Sequence, residues 1–177
     1  LFTHTGLSGP IILSASSHID NFKEFKYEVI IDLKPALSIE QLDNRVLKDF
    51  DLFKGKIISN SLSKLLPRKC IPIILEAAKI PAATKVNQIT RIERQSLVNT
   101  IKGLKIKISD KESINEAIIT AGGVNVSQIS PQTMQSKIVK GLYFAGEIID
   151  VDGYTGGFNL QIAFSTGFLA GKSAAKE

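Results

Sequence analysis

Between residues 141 and 171 the chain carries seven glycines and three carboxylates, Glu147, Asp150 and Asp152. Their order matters. Residues 142–145 form a short apolar run that predicts a buried strand, and Gly146-Glu147 places a carboxylate at its end. Residues 148–155 are turn-rich, with Asp152-Gly153 at the centre. Gly156 and Gly157 then open a predicted helix that runs from Phe158 to Gly171. Glycine lets backbone approach a ligand closely, and the free N–H groups at a helix start offer it positive partial charge. The chemistry this pattern supports is ligand binding. Neither Asp150 nor Asp152 lies at a spacing from His or another acid that calls for a metal, and Asp152 before Gly153 suits an Asx turn.

The elements that must position this unit come from both ends of the chain. Residues 1–5 predict the end of a strand and 6–10 a turn; Pro10 suits the first turn of a helix over 11–17, capped by Ser8 or Gly9. His4 could act as an acid or base, but the reading adopted is a hydrogen-bonded histidine that orders the turn. Residues 26–33 alternate imperfectly and predict a strand stopped by Pro35. Ser38 followed by Gln41 is a capping-box signature for a helix over about 39–50. A second helical pattern, 56–66, sets Ile57, Ile58, Leu62, Leu65 and Leu66 on one face. A third spans 70–78, and a fourth spans 87–101 with Ile89, Ile92, Leu97 and Ile101 inward. Residues 104–108 alternate apolar residues with lysine, a strand with one wet face. Residues 115–120 predict another strand, turned by Gly122-Gly123. The expectation is a mixed α+β fold. A β-rich frame (1–37 and 103–121) carries an inserted helical subdomain (38–102) and a C-terminal strand–loop–helix segment (122–177). Ala163, Gly167 and Gly171 repeat every four residues, which predicts a small helix face packed tightly on a sheet or helix.

A chain of 177 residues with 44% hydrophobic and 22% charged content can bury a core. Cys70 is its one cysteine, which excludes an internal disulfide or a cysteine metal cluster within one chain. The C-terminal apolar segment is interrupted by Asn159, Gln161, Ser165 and Thr166, so no membrane-spanning helix is expected. Nor does the stretch from Leu1 read as a signal peptide, and the expected compartment is the cytoplasm. Charge is uneven: residues 45–111 hold 15 Lys and Arg against 5 Asp and Glu, whereas residues 1–44 hold 3 against 6 and 112–177 hold 4 against 6. A basic middle could attract phosphates, nucleotide or RNA. Phe50 and Phe53 are its only aromatics, however, so the reading adopted is a solvated lysine surface, and nucleic acid is not an expected partner.

Three stretches together resemble the BaiN/YhiN-type FAD-binding flavoproteins, the aminoacetone oxidase family. They are Phe2-Thr3-His4-Thr5-Gly6-Leu7-Ser8-Gly9-Pro10; Thr120-Ala121-Gly122-Gly123-Val124 with Met134-Gln135-Ser136-Lys137; and Gly141-Leu142-Tyr143-Phe144-Ala145-Gly146-Glu147 with Asp150-Val151-Asp152-Gly153 and Thr155-Gly156-Gly157-Phe158-Asn159-Leu160-Gln161. The resemblance implies FAD as cofactor, held by Gly146, Glu147, Gly156, Gly157, Phe158 and Asn159. It implies an oxidoreductase that passes hydride between a reduced nicotinamide or small organic substrate and the flavin, with NAD(P)H as a further partner. Glu147 would accept a ribityl hydroxyl, a bond worth about 1.5–3 kcal/mol. The flavin pyrimidine edge would meet the helix start, whose dipole favours the negative charge of reduced flavin. Hydride chemistry belongs to the cofactor, so no catalytic residue is assigned. The Gly-x-Gly-x-x-Gly turn that holds the ADP half of FAD does not occur in this sequence. The expectation is therefore a C-terminal portion of a longer flavoprotein, without the dinucleotide-binding half, that binds FAD weakly or not at all by itself. A non-catalytic docking module and an RNA-associated flavoprotein are the alternatives.

Overall fold

The computed structural model describes residues 1–19, 21–24 and 26–176. It divides into two compact units. One is Lys26–Ser109; the other joins Leu1–Phe25 to Asp110–Glu177.

In the middle unit, β1 (Tyr27–Ile31) pairs antiparallel with β2 (Leu104–Ile108), Tyr27 opposite Ile108 and Ile31 opposite Leu104. The helices of this unit are α2 (Ile39–Leu52), α3 (Ile58–Ser61), α4 (Ile71–Ala77) and α5 (Arg91–Lys102). α2 starts where expected because Ser38 Oγ accepts Gln41 N–H at 3.1 Å while Gln41 Oε1 accepts Ser38 N–H at 2.9 Å. Thr90 and Glu93 cap α5 in the same reciprocal way. Between these helices Arg94 grips Asp43 with two bonds, 2.7 and 3.2 Å. Leu42, Val46, Ile58, Leu62, Ile74, Leu75, Leu97 and Ile101 are fully buried in one core, each worth about 1.5–3 kcal/mol of hydrophobic burial. The end of α5 is tied down by Lys102, whose ammonium reaches Asp32 at 2.6 Å, Leu37 O at 2.6 Å and Lys34 O at 3.1 Å.

Two details of the helical pattern differ from the sequence reading. Ile92 is 79% exposed, and Val98 takes the inward place beside Leu97 and Ile101. Residues 56–66 are not one helix. Ile57 forms an antiparallel bridge with Lys85, and Ile58 N–H donates to Thr84 O at 2.9 Å. That holds the start extended and shortens the helix to α3 and a 3₁₀ turn, Leu62–Lys64.

Of the β-rich frame expected over 1–37 and 103–121, the described residues form two regular strands, one from each part, at 27–31 and 104–108. Both regular strands pair with each other alongside the helices, inside the middle unit. In the terminal unit, the described residues form only isolated bridges. The predicted strand at 115–120 is replaced by a 3₁₀ turn, Ile114–Glu116, and 142–145 contributes a single bridge, Tyr143 to Gln135. Short apolar runs become strands only where a ladder partner exists, and here Ile114 and Ile118 stay 75% and 77% exposed.

The terminal unit contains α1 (Pro10–Ser16) and α6 (Phe158–Ala174). Its small core is Ile129, Met134, Ile149 and Ala170, with Tyr143, Phe144 and Leu169 against it. The small face of α6 packs less than expected: a Cβ at Gly167 or Gly171 would meet nothing within 4 Å among the described residues. Leu160, Phe164 and Phe168, four residues apart, are 64%, 70% and 73% exposed. No helix among the described residues is long and apolar enough to cross a membrane.

Candidate functional site

α6 is the scaffold of the site. Its N-cap, Gly157, is left-handed (φ 87°, ψ −1°), Gly156 has φ 133°, and no side chain caps the helix. A left-handed residue other than glycine costs roughly 1–2 kcal/mol, which explains glycine at this entry. The first turn of N–H groups has no intrahelical acceptor. A Cβ at Gly157 would meet open space, whereas one at Gly156 would lie 3.2 Å from the Phe158 ring. The two glycines therefore leave an uncapped helix start with room beside it.

The loop before α6 is held at three points. The Asn159 side-chain amide pairs with Gly153, donating from Nδ2 to Gly153 O at 2.8 Å and accepting Gly153 N–H at 2.7 Å. Thr155 N–H donates to Ser14 Oγ at 3.3 Å, and its hydroxyl donates to Pro10 O at 3.2 Å, tying the loop to α1. His18 Nε2 and Tyr154 Oη form a 2.6 Å hydrogen bond, their rings edge to face at 5.6 Å.

Farther along α6, Thr166 secures the Gly146 turn. Gly146 (φ 74°) donates its N–H to Thr166 Oγ1 at 2.9 Å, and that hydroxyl donates to Ile162 O at 2.7 Å. Glu147 Oε1 accepts both the N–H and the hydroxyl of Thr120, at 3.0 and 3.2 Å. Behind this turn Gly123 (φ 144°) lies so close to Ile148 that a Cβ would sit 2.3 Å from its carbonyl oxygen. Val124 and Asp150 exchange backbone bonds with the same segment, Val124 N–H to Ile148 O at 2.8 Å and Asp150 N–H to Val124 O at 3.0 Å.

All six expected residues thus fall in one unit around one helix, in two groups. Gly156, Gly157, Phe158 and Asn159 stand at its start. Gly146 and Glu147 stand by Thr166, about 13 Å farther along at 1.5 Å per residue. An extended ligand could span the groups; a compact one could not. Some donors and acceptors are already committed: the Gly146 N–H to Thr166, the Asn159 amide to Gly153, and one Glu147 oxygen to Thr120. Oε2 of Glu147 makes no hydrogen bond among the described residues. Among the described residues the Asp152 carboxylate makes no Asx-turn hydrogen bond; Asn159 holds that loop through Gly153. His4 makes no hydrogen bond among the described residues. Its turn is ordered by Thr3, whose N–H donates to Gly6 O and whose Oγ1 accepts Gly6 N–H, both at 2.9 Å. Sequence reasoning missed Thr166, His18 and Tyr154. The last two are 136 residues apart, so no local pattern joins them. No group of three or more His, Cys, Asp or Glu among the described residues could hold a metal.

Comparison with known proteins gives this arrangement its context. A family model for the HI0933-like protein barrel and H2TH domain matches residues 1–119, and one for glucose inhibited division protein A matches 84–177. A 3-dehydro-bile acid delta(4,6)-reductase of Clostridium scindens is 30% identical over 176 residues, 98% of this chain and 43% of the relative. Ribosomal RNA dihydrouridine synthases of Escherichia coli and Haemophilus influenzae are 33% and 32% identical, over 94% and 100% of this chain and 40% and 42% of their own lengths. The chain therefore spans less than half the length of these relatives. The matches place it in a flavin-dependent oxidoreductase family. More narrowly, it belongs to the HI0933-like proteins, the BaiN/YhiN-type FAD flavoproteins.

The residues present fit FAD on chemical grounds. Uncapped N–H donors suit the acceptor-rich edge of a flavin, a carboxylate oxygen with no hydrogen bond among the described residues suits a hydroxyl, and glycine leaves the space a ring requires.

Proposed function

We propose that this chain supplies the flavin-contacting part of an FAD-dependent oxidoreductase that transfers hydride between a reduced nicotinamide or small organic substrate and flavin. The observation that carries this reading is the uncapped start of α6, opened by Gly156 and Gly157 and tied through Thr166 to the Gly146-Glu147 turn. Gly156, Gly157 and the N–H groups of Phe158 and Asn159 would hold the flavin's electron-rich edge, and Glu147 a ribityl hydroxyl. Bound there, flavin would supply two-electron chemistry. The chain's own part is to aim donors at the negative charge of the reduced state and to hold the loop steady through Asn159 and Thr155.

Three similar proteins are a delta(4,6)-reductase and two dihydrouridine synthases, and the names point to reduction. Reduction of the substrate is therefore the favoured reaction direction. A second reading, RNA as the substrate, is favoured by the excess of basic residues in the middle unit and by the dihydrouridine synthase relatives.

The test has two arms. The whole protein should purify with flavin absorbance that NADPH or NADH bleaches anaerobically. The 177-residue chain should bind FAD far more weakly in equilibrium dialysis, because the sequence has no dinucleotide fingerprint. A colourless whole protein that cannot be reconstituted with FAD defeats the proposal.

A further inference from the structure

The middle unit gathers lysines that are scattered in sequence. Lys56 Nζ lies 5.0 Å from the centre of the Phe53 ring and Lys64 Nζ lies 5.6 Å from it, two ammonium groups on one half-buried aromatic. Lys85 joins them through the backbone: it bridges Ile57, and Val86 N–H donates to Lys56 O at 3.0 Å. All three lysines are exposed, and none forms an ion pair among the described residues. The nearby carboxylate of Asp51 is taken by Lys54 at 3.2 Å. Like charges held together repel one another, so the cluster favours a polyanion that can neutralise several charges at once. A chain of phosphates can meet exposed ammonium groups that come from three segments of the chain. The half-buried Phe53 ring holds two of the cations over it by cation–π attraction.

We propose that the surface formed by Lys56, Lys64, Lys85 and Phe53 is a docking site for the phosphate backbone of RNA. It deepens the second reading above, that the substrate is RNA. It does not depend on flavin, so it can fail while FAD binding stands, and the reverse.

The experiment is fluorescence anisotropy of the 177-residue chain with a labelled 20-nucleotide single-stranded RNA, titrated at several KCl concentrations. Three phosphate contacts predict that log K falls against log salt with a slope of about −2. Lys56→Gln, Lys64→Gln and Lys85→Gln combined should weaken binding at least about tenfold and flatten that slope. The control combination Lys105→Gln, Lys107→Gln and Lys111→Gln removes the same charge elsewhere and should change affinity less than about threefold. Circular dichroism confirms the fold of both. The proposal is overturned if wild type does not bind, if both combinations lose affinity equally, or if poly-glutamate of matched charge competes as well as unlabelled RNA.

Discussion

The side-chain amide of Asn159 is paired on both sides with the backbone of Gly153, at 2.7 and 2.8 Å. The pair closes the loop onto the first turn of α6, so that helix and loop become one piece. Asn159→Asp replaces the donor facing Gly153 O with an acceptor and leaves two oxygens opposed. It should lower stability by about 1–3 kcal/mol. Urea denaturation of the chain measures this, and an unchanged midpoint with a normal m value would show that the loop is held elsewhere.

Gly123 is a second position where the loop geometry allows one residue. Gly123→Ala puts a methyl 2.3 Å from Ile148 O. Overpacking costs typically 1–3 kcal/mol and the wrong backbone hand roughly 1–2 kcal/mol more. Gly122→Ala has the same backbone problem (φ 98°) but nothing within 4 Å. The expected order of thermal midpoints is wild type, then Gly122→Ala, then Gly123→Ala. Equal values for the two variants would remove the steric argument.

In the whole protein, Gly157→Val should strip flavin while Asp150→Ala retains most of it. Gly157 has φ 87°, and the space a side chain there would enter is the space proposed for the ring. Asp150 is exposed and its carboxylate makes no hydrogen bond among the described residues. Flavin per protein after purification is the readout, with folding checked by circular dichroism. Equal retention would place the flavin away from the α6 start.

The Lys102 ammonium, hydrogen-bonded to Asp32, holds the Asp32 carboxyl below its ordinary value, helped by the Lys34 N–H and opposed by partial desolvation. A carboxylate pKa lowered by folding contributes stability above its unfolded value, and that contribution is lost as pH falls through the folded value. Asp32→Asn should therefore be less stable than wild type at pH 7 and pH 5. The gap should close below about pH 4, where the unfolded carboxylate protonates. A gap that persists at pH 2 would mean that Asp32 acts by packing and not by charge.

Much of the local structure was legible because its causes are local. The capping box at Ser38, Pro10 at the start of α1 and the glycine entry to α6 depend on residues within one helical turn of each other. The Thr90–Glu93 box is equally local but was missed: the helix expected from residue 87 starts at Arg91. The α+β character followed from the same periodicities. Motif resemblance singles out the candidate site residues, and the structure places them around one helix.

What only the tertiary structure decided is pairing over long separations. Tyr27–Ile31 and Leu104–Ile108 alternate like any half-buried strands, and nothing local says that they pair with each other instead of joining a larger frame. The motif makes Glu147 a candidate ligand contact, but the commitment of one of its oxygens to Thr120 depends on chain 27 residues away. The same holds for His18 with Tyr154, and for Lys56 and Lys64 with Phe53. A hydrogen bond or cation–π contact acts over a few ångströms, and the fold alone sets which distant residues come within that range.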